Sequence, residues 1–588
     1  MDDLRHRAKL VEPSGLPPGL HNTGLVPENS GQLFTILSDL HTVVRTRDDF
    51  EKLRNYGLLH WWTQQDYLSS HWRPVDSFTH WLDYRLFPDS SVMMHVHNLL
   101  WFSVVIFLVT NLYRRLIKPG FPQSGVPLWV AGLAALLYLL DDSNFLPAMW
   151  IANRHLLISL ALAILTLLAY HRWRTTNSLA AALVSHLCLL CSLLATEGGV
   201  ATFAYLFAYA VAVERGSWVR RALSLVPAVL IIVLWRIVYN ALGNGAYGTG
   251  FIIDPVREPL RYAGAVLERG PILLFAQWGG PPSETFSFVR DGFRTPLWLS
   301  AVVFLILVLV VLWPLLRQNR QARFWLTAML LSTLPICATL PMNRNLLFVA
   351  IGAFGLMAQF IGSLWAKEKW LPKTRLWRVS AWAFCVFFLL AHVLYPAPGR
   401  VVTQQMINFI HKEFKSTMKV GELDGVENQD LIIVNAPNPF SLFFLPTFRA
   451  HKQQSLPRSI RALAPGFGPI EVIRTGEKTV LLRAKSGNLL SCEQGHDFHF
   501  VYFYRHFNKG FRDEKFPMHV GDKVVLPSLT IEVVDVDSNN LPTEVLFSFA
   551  VSLDDPSLRW LMWDWDEELY TPFLVPAIGQ KSKIVGPF

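Results

Sequence analysis

From about residue 94 to about residue 395 the chain is a succession of apolar runs separated by short polar turns. The runs fall at about 94–113, 126–141, 146–170, 178–195, 198–214, 221–240, 296–317, 324–341, 346–365 and 377–395. A helix rises 1.5 Å per residue, so about 20 apolar residues cross a hydrocarbon core of about 30 Å. The pattern therefore predicts about ten membrane-crossing helices. Several are short, and two pairs must turn tightly, at Asp141-Asp142 and at Thr196-Glu197-Gly198-Gly199.

Beyond Tyr395-Pro396-Ala397-Pro398-Gly399 the pattern changes to short alternating runs in a polar background. Leu431 to Val434, Thr479 to Arg483, His499 to Tyr504, Lys523 to Val536 and Val545 to Val551 read as strands. The expected fold class is mainly α, a polytopic transmembrane helix bundle followed by a β-rich soluble domain. The segments are 1–93, a first loop; 94–240, helices; 241–295, a loop in which Asp254-Pro255 leads into an interfacial helix through about Trp278; 296–395, helices; and 396–588, the β-rich domain.

Composition agrees with a bilayer-embedded body, at 52% hydrophobic and 16% charged residues. The net charge of +9 does not point to nucleic acid, because the basic residues sit in alternate short loops. One set holds Arg114, Arg115 and Lys118; Arg172 and Arg174; Arg215, Arg220 and Arg221; Arg317, Arg320 and Arg323; and Lys367, Lys369, Lys373, Arg375 and Arg378. Such loops stay cytoplasmic. The intervening short loops carry Arg344 alone, so 1–93, 241–295 and 396–588 are expected on the extracytoplasmic side of a plasma (inner) membrane. Export of the first loop calls for a preceding apolar helix, whereas the chain opens on Met1-Asp2-Asp3-Leu4-Arg5-His6-Arg7. The expectation is a helix ahead of Met1, the alternative being a long tail carried across by the first helix. Cys188, Cys191, Cys337 and Cys385 lie in apolar runs and Cys492 stands apart, so neither a disulfide framework nor a zinc site follows.

Three stretches carry a resemblance. Trp72-Arg73-Pro74 to Phe87 contains Leu82-Asp83-Tyr84 and is followed by His95-Val96-His97-Asn98-Leu99-Leu100; Trp150-Ile151-Ala152-Asn153-Arg154-His155-Leu156-Leu157 comes next; Ala195-Thr196-Glu197-Gly198-Gly199 is the third. In this order they resemble the polytopic GT-C-type glycosyltransferases, of the protein O-mannosyltransferase-like (family 39-like) kind. The resemblance covers about the first 240 residues. It implies transfer of a sugar from a polyprenyl-phosphate carrier to an acceptor of unknown kind in the cell envelope. It also implies a catalytic acid early in the first external loop, which puts Asp2 and Asp3 forward as general base. The other acidic pair, Asp48-Asp49 after Arg45-Thr46-Arg47, reads as a helix start or a salt-bridged pair.

The topology adds an observation of its own. Arg73, Arg154, Arg236 and Arg344 fall near one depth, where a guanidinium suits a lipid phosphate. Arg154 is expected inside its helix, facing the bundle, with Glu197 as partner. His95 is the nominal match to the helix-entry histidine of the family, and an interfacial anchor is the plainer reading of it. No cofactor is firmly implied, and a divalent metal stays open. Trp560, Trp563 and Trp565 with Asp564 and Asp566 suit a carbohydrate surface, a β-domain edge or a membrane-interface anchor. Two rival functions are a non-catalytic scaffold that binds envelope components and a lipid-linked-sugar transporter. The second lacks the expected broken-helix pairs and repeat symmetry.

Overall fold

The computed structural model describes residues 2–587 except 13–14, 18, 118–128, 421–424, 492–506 and 514. Lys118, Cys492 and the expected strand His499 to Tyr504 lie outside the described residues. Four helices precede the apolar region: α1 (Asp2–Leu10), α2 (Leu33–Asp39), α3 (Arg47–Tyr56) and α4 (Pro74–Leu86). Asp48-Asp49 is a helix start as expected. Thr46 Oγ1 accepts the Asp49 N–H at 3.1 Å while Asp49 Oδ2 accepts the Thr46 N–H at 2.8 Å, and Lys52 pairs with Asp48.

Among the described residues helix lies in each of the ten apolar runs, but only six helical segments are long and apolar enough to cross a membrane, fewer than the ten crossings expected. The first six runs give α5 (Ser91–Leu116), α6 (Trp129–Leu140), the short α7 (Phe145–Met149) with α8 (Arg154–Thr176), α9 (Leu179–Ala195), α10 (Thr202–Ala208) and α11 (Trp218–Ala241). The loop after α11 holds α12 (Pro259–Gln277) and α13 (Glu284–Phe288). The remaining runs give α14 (Asp291–Gln318), α15 (Arg320–Ile336), α16 (Leu347–Trp365) and α17 (Arg375–Leu389). Among the described residues six helical segments are long and apolar enough to cross a membrane: Ser91–Leu116, Ile151–Thr176, Trp218–Ala241, Gly292–Gln318, Leu347–Trp365 and Arg375–Leu394. Their outward residues, such as Phe107, Leu230, Leu234, Ile306 and Val310, are large, apolar and exposed, and an apolar belt of this extent is foreign to a water-facing surface.

The helix α16 sits at the centre, buried on all sides. Its Gly352 permits close approach of α15, because a Cβ there would lie 2.7 Å from the Trp325 carbonyl oxygen. Polar contacts tie the bundle: Tyr113 OH donates to the Ile351 carbonyl at 2.7 Å, and Gln359 Nε2 to Gln321 Oε1 at 2.9 Å. The helix α12 differs from the interfacial helix expected. Leu260 and Leu267 are exposed, but Leu273, Ala276 and the following Trp278 are buried in the bundle core.

After α18 (Pro396–Ser416) the chain forms the β-rich region, with α19 (Pro439–Leu442) and α20 (Leu445–His451). A small antiparallel sheet of β1 (Thr42–Val44), β2 (Leu68–Ser70) and β3 (Gly245–Tyr247) links the first loop to the loop after α11. Beyond residue 429 lie β4 (Asp430–Asn435), β5 (Ser459–Ala464), β6 (Ile470–Arg474), β7 (Thr479–Ala484), β8 (Lys523–Leu526), β9 (Leu529–Val536), β10 (Pro542–Phe549), β11 (Leu558–Asp564), β12 (Leu569–Pro572) and β13 (Lys581–Ile584). They make one sheet in the order β13-β6-β7-β10-β9-β8 and one in the order β12-β11-β4-β5, the latter parallel between β11, β4 and β5. The expected strand from Lys523 to Val536 is a hairpin, β8 and β9, that turns at Pro527-Ser528.

The first loop and the C-terminal region share one core. Trp61 Nε1 donates to the Leu463 carbonyl at 3.0 Å and Tyr56 OH to the Pro457 carbonyl at 2.9 Å. Between them Gly57 has φ 101° and passes so close to β5 that a Cβ would overlap the Ile460 carbonyl oxygen. Trp560 and Trp563 are buried here as core residues, which corrects the carbohydrate-surface reading for those two tryptophans.

Candidate functional site

Sequence spacing explains how this end of the bundle is built. In α4, Asp76, His80 and Asp83 recur at four and three residues, and a helix puts such positions on one face. That face is buried. A buried polar stripe must be satisfied by neighbours, and three sets of side chains gather around it.

The first set surrounds Asp83. Arg154 is wholly buried, with Nη1 2.5 Å from Asp83 Oδ2, Nη2 donating to the Met94 carbonyl at 3.1 Å and Nε to Asn98 Oδ1 at 3.4 Å. His97 Nδ1 donates to Asp83 Oδ1 at 2.6 Å, and Trp101 Nε1 donates to His97 Nε2 at 3.1 Å. Two expectations are corrected. The partner of Arg154 is Asp83, not Glu197, and the helix-entry histidine with contacts is His97, since His95 is exposed. Arg154 also opens its helix instead of lying inside it, because the run breaks at Trp150, whose backbone is extended.

The second set lies between Asp76 and α1. His41 Nε2 is 2.8 Å from Asp76 Oδ2 and His80 Nε2 is 3.5 Å from it. The His6 ring packs edge-on against His41 and His80 at 4.9 and 5.5 Å. Burial pushes His41 down to about 4 and His6 well below the usual histidine range. Burial alone would raise the Asp76 carboxyl, but His80 and His41 hold it well below the carboxylate range. Asp76, His80, His41 and His6 were not singled out from sequence, although the spacing of Asp76, His80 and Asp83 was a legible signal. Among the described residues no group of three or more His, Cys, Asp or Glu is arranged to hold a metal ion.

The third set contains the expected base. Asp2 and Asp3 occupy the first turn of α1, where the helix dipole favours carboxylates. Asp3 Oδ1 accepts the N–H of Ala152 at 3.0 Å, one of the donors left free where the backbone breaks ahead of α8. Burial raises the Asp3 carboxyl, and neighbouring Asp2 adds to the rise. Asp2 lies in the field of two guanidiniums, Arg5 and Arg344. Burial lowers both of these arginines, and neither meets a carboxylate at ion-pair distance among the described residues. Arg5 Nε is buried without an acceptor, and the Arg344 guanidinium lies over the Trp150 ring at 5.0 Å.

Arg73 acts on both Arg5 and Arg344 at short range but is itself partnered. Its Nε and Nη2 donate to Glu197 Oε2 at 2.9 and 2.7 Å. Tyr239 OH and His71 Nδ1 hold the other Glu197 oxygen at 3.0 and 3.1 Å. Arg236 is taken up by Asp254 at 2.6 Å. The structure thus brings together Asp2, Asp3, Arg73, Arg344 and Glu197, adds Arg5, and leaves Arg154, Arg236 and His95 outside that group. The arrangement offers Asp3 on a fixed donor next to Asp2, and Asp2 in turn lies in the field of two guanidiniums that have no ion-pair partner among the described residues, a combination able to accept a proton and hold an anion.

No family model matches this chain, and no curated protein matches it.

Proposed function

We propose that the chain is an integral membrane glycosyltransferase of the GT-C type, moving a sugar from a polyprenyl-phosphate carrier to an acceptor on the extracytoplasmic side of the plasma (inner) membrane. The observation that carries this reading is the pairing of Asp3, fixed on the Ala152 N–H, with Asp2 in the field of Arg5 and Arg344. The apolar belt and the alternation of basic loops support the membrane body and its orientation.

In this reading Asp3 takes the proton of the acceptor hydroxyl as its oxygen bonds to the anomeric carbon. The bond from that carbon to the phosphate oxygen breaks, and polyprenyl phosphate leaves against Arg5 and Arg344. Arg73, held by Glu197, adds positive charge beside Arg5 and Arg344. The raised Asp3 carboxyl suits a base that must take up a proton. Transfer from a polyprenyl-phosphate hexose in proteoliposomes tests the reading. Asp2→Asn with Asp3→Asn is expected to abolish transfer, and retained transfer overturns the assignment of the base.

A further inference from the structure

Beside Asn343 lies a cavity of about 510 Å³, bounded by the residues that follow α6, the end of α12 and the π-helical segment Leu390–Leu394 that follows α17. Gln277, the last residue of α12, is 1% exposed, and both its amide oxygen and its amide nitrogen are buried without partners. Asp142 Oδ1 and His392 Nε2 are buried and unpartnered as well. His392 Nδ1 sits 3.1 Å from Asp141 Oδ1, which assigns the ring proton to Nδ1 and leaves Nε2 an acceptor. Buried polar atoms are normally paired, and four around one cavity mark a place where something else supplies the bonds.

The chemistry of that partner follows from the inventory. The residues that line the cavity bring one amide NH2 group and three acceptors, all shielded from water, so an occupant that reaches them must bring several hydrogen-bond donors of its own. Asp141 and Asp142 both line it and disfavour an anion. Phe387 and Tyr395 also line it and supply apolar ring faces, and Gly279-Gly280 adds a wall without side-chain bulk. A ring compound with hydroxyls at its edge and an apolar face meets all of these conditions. We propose that this cavity is a saccharide-binding site that takes a neutral pyranose by its hydroxyl groups, with Gln277, Asp142 and His392 as contacts. The proposal does not rest on the transferase reading. It nevertheless places the site beside the arginine group, since Asn343 lines the cavity and Arg344 follows it in the chain.

Saturation-transfer NMR on the full chain in nanodiscs tests this, with methyl α-D-mannopyranoside and methyl β-D-glucopyranoside as probes. The control is (tetrahydropyran-2-yl)methanol, which has the same ring and a single hydroxyl. The expected result is transfer to at least one glycoside, none to the control, and at least tenfold weaker binding in Gln277→Leu and in Gln277→Glu. Removing an unpaired buried amide should leave the unfolding midpoint of Gln277→Leu equal or higher, so the loss of binding is not a loss of fold. If Gln277→Leu fails to fold, the isosteric Gln277→Glu decides. Absence of transfer to both glycosides, equal transfer to the control, or unchanged affinity in the folded Gln277 variants overturns the proposal and leaves a water-filled cavity. No lipid donor is present in this experiment, so it succeeds or fails independently of the Asp3 assignment.

Discussion

Arg154 and Asp83 form an ion pair at 2.5 Å with both side chains shielded from solvent, joining the start of α8 to the last turn of α4. Removing one partner of a buried pair strands the other charge, which costs about 3–5 kcal/mol. Asp83→Ala is expected to lower the unfolding midpoint sharply in detergent. Asp83→Leu combined with Arg154→Met should recover much of that loss, because a packed apolar pair has no charge to strand. Thermal unfolding of the single and double variants checks this, and equal losses in all of them would count against an ion-pair role.

The His41–Asp76 pair sets a pH dependence. A histidine whose folded pKa lies below its unfolded value binds more protons when unfolded, so stability falls as pH drops between the two values. For His41 that window runs from the ordinary 6.5 down to about 4. The unfolding midpoint should therefore fall on acidification from pH 7 to pH 4.5. His41→Asn keeps a donor toward Asp76 and should flatten that slope.

Gly57 fastens the first loop to β5. With φ 101° and no room for a Cβ against the Ile460 carbonyl, Gly57→Ala should cost about 1–3 kcal/mol of strain or more. The expected sign is new proteolytic cleavage between α3 and β2 under conditions where the wild type is resistant.

Much of the bundle was legible because the apolar period is a strong signal, and among the described residues helix lies in every run, although only six segments reach a membrane-crossing length. The breaks within the runs were not. Nothing in the composition of Trp150 announces an extended residue, yet that break frees the Ala152 N–H for Asp3 and moves Arg154 to a helix start. Ion-pair partners were assigned by depth, and depth alone cannot tell Asp83 from Glu197 as the mate of Arg154. The polar stripe Asp76, His80 and Asp83 could have made that distinction. Strands β4 and β5 are buried along their whole length, so they lack the alternation that marks a half-exposed strand. β4 was read from its apolar residues, whereas Arg461 inside β5 hid that strand. Arg5 was overlooked as a site residue because it stands in a charged opening segment, and only folding shows that Arg5 Nε is buried without a partner.

Arg5 and Arg344, without an ion-pair partner among the described residues, predict an effect on donor kinetics. If the proposed transfer holds, Arg5→Ala and Arg344→Ala each remove a charged contact of about 1.5–3 kcal/mol to the donor phosphate, so KM for the lipid donor should rise about tenfold or more. His95→Ala, at an exposed position, should leave KM and kcat unchanged.

The most direct test compares donor retention and transfer in the same proteoliposomes for wild type, Asp3→Asn and the Arg5→Ala/Arg344→Ala double variant. Asn keeps an oxygen for the Ala152 N–H but cannot take the proton. Asp3→Asn should therefore bind the polyprenyl-phosphate sugar normally and transfer it about 10²–10⁴-fold more slowly, while the double variant should lose donor binding. Wild-type transfer rates in Asp3→Asn, or undiminished donor binding in the double variant, would contradict the account.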